Sequence, residues 1–270
     1  MGSQLVTQNS KLKTQNIWRQ AGRLDLALER IGATTRPVRS EARPPLQLSR
    51  VRYDAIEQPG AAAFTLMHLG GILEGDSYDL RVALGPGASA SVATAAATQV
   101  YRMPHGTARQ EITLRLAAGS RLAWLPEPLI LCAGARFSQT TQVELAPGAL
   151  LGLLDVLVPG RLARGEVNQF ERYEMRLEVC APDNRCLVAE RALLEPQRRD
   201  IATVGVLGRT PVLGSLYVLG DGVDADYWCA RINQCDQRDI AGTPLPNGSG
   251  LLIRMLGATP STMHTQLRDL

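Results

Sequence analysis

Val82-Ala83-Leu84-Gly85-Pro86-Gly87-Ala88, Leu114-Arg115-Leu116-Ala117-Ala118-Gly119-Ser120 and Val143-Glu144-Leu145-Ala146-Pro147-Gly148-Ala149 share one plan. Each runs apolar, any, apolar, then two small or turn-forming residues, then glycine, then a small residue from which a strand can resume. A glycine at a fixed offset after a strand supplies the positive φ of a tight corner, and proline before it, in two of the three, presets the preceding torsion. The unit is strand, corner, strand. Gly87, Gly119 and Gly148 recur about every thirty residues, with a weaker corner at Gly134-Ala135, and such a period marks stacked repeats. The expected fold is mainly β, a β-helix-like stack of short strands with a few short helices; hairpins of a β-sandwich are the alternative source of the same pattern.

The flanking sequence agrees. Leu46-Gln47-Leu48-Ser49-Arg50-Val51 and Tyr78-Asp79-Leu80-Arg81-Val82-Ala83-Leu84 alternate with period two, as half-buried strands do. Val212–Leu219 and Gly250–Leu256 read as buried strands. Helices are expected at Asp200–Val206 and at Ser261–Arg268, where Ser261 follows Pro260 and can cap. With 45% hydrophobic but only 4% aromatic residues, the core must be built from Ala, Leu and Val, which suits closely stacked strands. The 270 residues are expected to form a basic N-terminal segment, 1–45, and one β domain, 46–270.

The formal net charge of +3 gives no reason to expect nucleic-acid binding or attachment to an anionic membrane. Locally, Lys11, Lys13, Arg19, Arg23, Arg30, Arg36, Arg39, Arg43, Arg50 and Arg52 outnumber Asp25, Glu29 and Glu41. That stretch reads as a solvated basic arm, with a docking surface for an acidic partner as the alternative. No run approaches the roughly 18 apolar residues of a membrane span, and the N-terminus lacks the apolar segment of a secretory signal. Five cysteines fit reduced thiols better than a disulfide framework. A cytoplasmic location is the expectation.

Catalytic constellations are scarce. His68, His105 and His264 are the only imidazoles, Gly-x-Ser-x-Gly is absent, and neither a phosphate-binding loop nor a dinucleotide fingerprint is present. His68 reads as a strand-end histidine and His105, in Met103-Pro104-His105-Gly106, as exposed. Cys180 and Cys186 repeat the spacing of Cys229 and Cys235, yet that spacing exceeds the usual two to four intervening residues of a thiolate metal site, and Asp183-Asn184 looks like a hairpin turn. Ordinary thiols are the simpler reading. Asp76, Glu127 and Glu166 each sit beside a corner, where an acid caps a turn or faces a cavity or partner.

Four ordered blocks carry a resemblance. Gly70-Gly71-Ile72-Leu73-Glu74-Gly75-Asp76, Thr94-Ala95-Ala96-Ala97-Thr98-Gln99-Val100-Tyr101-Arg102, Leu122-Ala123-Trp124-Leu125-Pro126-Glu127 and Gly160-Arg161-x-Ala163-x-Gly165-Glu166 resemble successive signatures of the UreD (UreH) urease accessory proteins. The likeness is best from about Leu66 to Glu195, and Gly250–Gly257 is similar to the family's Gly-x-x-x-Arg-x-Leu-Gly near the C-terminus. It implies a β-helix-like fold, no catalysis, assembly with a UreF-type protein and a UreG-type GTPase, docking onto apo-urease and help with nickel delivery. No tightly bound cofactor is expected, only nickel in transit, for which Asp76, Glu127 and Glu166, with His68, are the candidate path residues. The rival readings are a polysaccharide-active β-helix enzyme, for which only Trp18, Trp124 and Trp228 could serve as indole platforms, and a structural scaffold unrelated to urease.

Overall fold

The computed structural model describes residues 19–53, 59–203, 205–208, 210–234 and 239–269. Strands dominate. The chain begins with β1 (Ala21–Ile31), β2 (Thr34–Arg43), β3 (Leu46–Leu48) and β4 (Ala62–His68). It then repeats short turns of the same plan: β5 (Ser77–Leu84), β6 (Ser89–Thr94) and β7 (Thr98–Val100); β8 (Ala108–Leu116), β9 (Arg121–Leu125) and β10 (Leu129–Leu131); β11 (Arg136–Leu145) and β12 (Leu150–Val158). After β13 (Arg172–Cys180) the direction reverses into β14 (Cys186–Leu194). β15 (Val212–Leu219), α1 (Ala225–Asn233), β16 (Ile240–Pro244), β17 (Gly250–Gly257) and α2 (Pro260–Arg268) complete the fold.

β1, β5, β8, β11 and β13 lie parallel in register in one sheet, bounded by antiparallel β2 and β14. β4, β6, β9 and β12 lie parallel in the second, which antiparallel β15, β17 and β16 extend. A short third ladder joins Ile72, β7, β10 and the end of β12. The result is a β-solenoid-like stack of about four turns. Successive turns superpose because their corners are alike: Gly87, Gly119 and Gly148 have φ of 64°, 69° and 71°. Gly87 N–H donates to Ala118 O of the next turn (3.0 Å), tying corner to corner.

Inward side chains form columns through the stack. Leu26, Val82, Leu114, Val143 and Val179 occupy matching positions of five strands, each at most 3% exposed. Burying such a side chain stabilises the fold by roughly 1.5–3 kcal/mol. On the outer face of the second sheet, Leu154, Val156, Leu216 and Ile253 are covered by α1 and α2 through Cys229, Ile232, Met263 and Leu267.

Three expectations are corrected. Over its described length the basic stretch is not an arm: β1 runs parallel to β5, Leu24, Leu26 and Leu28 are buried, and β1 and β2 share a sheet with strands of 46–270. Its arginines point outward, where Arg23 and Arg39 meet Asp25 at 3.4 and 3.2 Å; Lys11 and Lys13 lie outside the described residues. The helix expected at Asp200–Val206 is absent from its described part, which turns on itself with Asp200 Oδ1 accepting from Ala202 N–H at 2.8 Å. At the C-terminal helix, Thr259 rather than Ser261 holds the cap position, with Pro260 in the first turn. The helix α1 was not anticipated, although Asp224 caps it by accepting from Tyr227 N–H at 3.1 Å.

Candidate functional site

The first two signature blocks meet along the short third ladder, and the fourth follows the end of β12 there, whereas the third lies in β9 and just beyond it. Ile72 bridges Val100, Val100 pairs with Leu131, and Ile130 with Val158, so the residues flanking these positions are neighbours in space although about thirty apart in sequence. Gly71 is needed there because a Cβ would lie 2.2 Å from the Tyr101 ring and 2.8 Å from Gln99 O. Gly134 leaves room for the stem of Arg102, and Gly75 and Gly165 hold φ of 85° and 71°. Gly70, at φ 104°, turns the chain after His68. Tyr101 and Arg102 stay exposed, while Trp124 is a core residue, 3% exposed.

The acids do different work. Asp76, 1% exposed, accepts from Gln20 N–H (2.9 Å), Leu73 N–H (2.9 Å) and the Tyr78 hydroxyl (3.0 Å). It anchors the loop before β5 and the approach to β1. Glu166 is held by Arg161, including Nε to Oε2 at 2.8 Å, and that guanidinium keeps its carboxyl below the usual range. Glu127 stands at the end of β9. His264 of α2, itself 5% exposed, sits 3.8 Å from Glu127 and 3.1 Å from Pro126 O. His105 is exposed, as its turn suggested.

Between the two sheets lies a cavity of about 70 Å³, large enough for several waters. Each turn contributes to its wall: His68 from β4, Gln110 from β8, Gln139 and Thr141 from β11, Glu127 beyond β9, Asp155 from β12 and Tyr217 from β15. The path candidates therefore divide. His68 and Glu127 line this space; Asp76 and its partner Tyr78 do not, although the Tyr78 ring is 4.7 Å from that of His68; and Glu166 belongs to the corner. Burial lowers the His68 pKa, favouring the neutral imidazole, whose Nδ1 is 2.6 Å from Gly70 O and whose Nε2 has no partner.

Sequence reasoning missed Asp155. Strand alternation puts it inward between Leu153 and Leu157, and burial lifts its pKa to about 6. It shares a row with Ser215 and Arg254 across three strands. Arg254 pairs with Glu190 of β14, which also accepts from the Tyr217 hydroxyl at 2.8 Å, so Glu190 links the first sheet to two strands of the second. The signal was an isolated acid in the apolar run Leu153-Leu154-Asp155-Val156. Among the described residues no three His, Cys, Asp or Glu side chains gather as a metal site, and Cys235, half of one candidate thiol pair, lies outside them.

The profile described as UreD urease accessory protein matches residues 20–270. The chain belongs to the UreD family of urease accessory proteins. It is 37% identical over 251 residues to the urease accessory protein UreD of Haloarcula marismortui, covering 91% of this chain and 83% of that one. It is 42% identical over 234 residues to UreD of Anaeromyxobacter sp., covering 86% and 74%, and 34% identical over 242 residues to UreD 2 of Streptomyces griseus, covering 88% and 81%. No helix among the described residues is long and apolar enough to cross a membrane.

Proposed function

We propose that this urease accessory protein is a non-catalytic scaffold that binds apo-urease together with UreF- and UreG-type partners and passes nickel towards the urease active site through its interior. The observation that carries the reading is the cavity between the sheets, whose wall is largely apolar but to which successive turns add oxygen and imidazole donors, with Glu127 and Asp155 as its carboxylates. Nickel accepts such donors, and a path must hold its cargo weakly enough to release it. GTP hydrolysis belongs to the partner in this scheme, and the protein works in the cytoplasm beside its urease.

Asp76 and Glu166 drop out of the path as ligands, because their oxygens are committed to Gln20, Leu73, Tyr78 and Arg161. The test is Glu127→Ala with Asp155→Ala, co-expressed with urease and the partner proteins. Nickel-dependent urease activity should fall at least tenfold while the variant still co-purifies with apo-urease. Full activation by the double variant would overturn the path; normal activation without any co-purification of the wild-type chain would overturn the scaffold.

A further inference from the structure

The reversal that ends the first sheet brings two thiols together. Pro182, Asp183 and Asn184 make the turn between β13 and β14: Asn184 holds φ 62°, Asn184 N–H donates to Ala181 O, and Ala181 N–H donates to Arg185 O, each at 2.9 Å. The next pair away from the turn is Cys180 opposite Cys186. The register shifts between Val179 and Cys180, so this pair stands at a bulge beside the turn, with its two side chains directly across from one another. Cys180 follows Glu174, Arg176 and Glu178 on the outer face, and its cross-strand neighbour Cys186 is close enough for the two thiols to interact. Both are free thiols, Cys180 half-buried and Cys186 exposed, whereas Cys132 and Cys229 are buried.

We propose that Cys180 and Cys186 form a reversible dithiol–disulfide site, oxidised by low-molecular-weight disulfides such as glutathione disulfide. Nothing in this rests on urease or nickel. The exposed Cys186, as thiolate, attacks one sulfur of glutathione disulfide; that S–S bond breaks, a mixed disulfide forms and one glutathione thiolate leaves. Cys180 then loses its proton to water, and its thiolate attacks Cys186 Sγ, expelling the second glutathione. Two cysteine thiols have given two electrons to one disulfide, which ends as two thiols. The order follows from access, and burial, which raises the Cys180 pKa, makes that thiol the slower first attacker. An exposed bond of this kind is readily reduced, so it behaves as a switch rather than a permanent brace. Oxidation would fix the end of β14, the strand whose Glu190 ties the two sheets through Arg254 and Tyr217.

The full chain would be equilibrated in glutathione buffers of graded oxidised-to-reduced ratio, trapped by alkylation, digested and mapped by mass spectrometry. Cys180 and Cys186 should lose alkylation together, joined to each other, and regain it with dithiothreitol. Cys180→Ser should instead accumulate a glutathione adduct on Cys186, at least fivefold above wild type. Two thiols that remain alkylatable in the most oxidising buffer would overturn the proposal. So would a wild-type chain that holds the adduct on Cys186 without forming the internal bond.

Discussion

Replacing Asp76 by alanine tests whether the acid of the first signature block serves the fold or the cargo. The carboxylate is 1% exposed and satisfies three donors, Gln20 N–H, Leu73 N–H and the Tyr78 hydroxyl, at 2.9 to 3.0 Å. Alanine leaves all three without a protein acceptor, at about 1–3 kcal/mol each when buried. Even if water recovers part of this, the loss should be about 3–6 kcal/mol. For a chain of this size that corresponds to a fall in Tm of roughly 6–20 °C. Asp76→Asn, which keeps the volume and one acceptor oxygen, should lose about half as much. Urea denaturation followed by circular dichroism measures both. An alanine variant within about 1 kcal/mol of wild type that nevertheless fails to activate urease would refute the reasoning, because it would show the carboxylate acting on cargo rather than holding Gln20, Leu73 and Tyr78.

Asp155 should leave a mark on pH dependence. Burial raises its pKa from 3.8 to about 6, so the folded state holds that proton more tightly than the unfolded chain, and stability declines as pH rises through that interval. Asp155→Asn should be more stable than wild type by roughly 1–2 kcal/mol above pH 6, an advantage that fades towards pH 4; denaturation at pH 4, 5, 6 and 7 reads it, and a constant difference would refute it. At Gly160 φ is 142° and a Cβ would lie 1.9 Å from Glu166 O, whereas at Gly152 it would meet nothing within 4 Å. Gly160→Ala should cost about 2–4 kcal/mol and Gly152→Ala should change stability by less than about 1 kcal/mol, both measured by thermal unfolding.

The stack was legible because its corners are written in glycine: Gly87, Gly119 and Gly148 all take the positive φ that their spacing suggested. β5, β15 and β17 were legible from alternation or apolar runs. β1 was not: Leu24, Leu26 and Leu28 alternate with Asp25, Ala27 and Glu29, but the arginines of the wider stretch, among them Arg19, Arg23 and Arg30, give it the composition of a solvated arm. α1 was missed because its apolar residues are few, with only Cys229 and Ile232 buried. The site was less legible still. Asp76, Glu127 and Glu166 look alike beside their corners, and only tertiary partners separate an anchor, a cavity wall and half of an ion pair. Asp155 escaped for the opposite reason, having no corner or motif to advertise it.

The columns of inward side chains have a metric consequence. Neighbouring strands in a ladder are spaced about 4.8 Å apart, so the stack works as a ruler on which each turn of about thirty residues marks one division. Gln110, Gln139 and Met175 are three consecutive marks on one such scale, lining the cavity together with Asp155 and Tyr217 of the other sheet. Exchanging one residue rewrites a single division and leaves the others in place, so the polarity of the interior can be edited step by step without moving the backbone that spaces it.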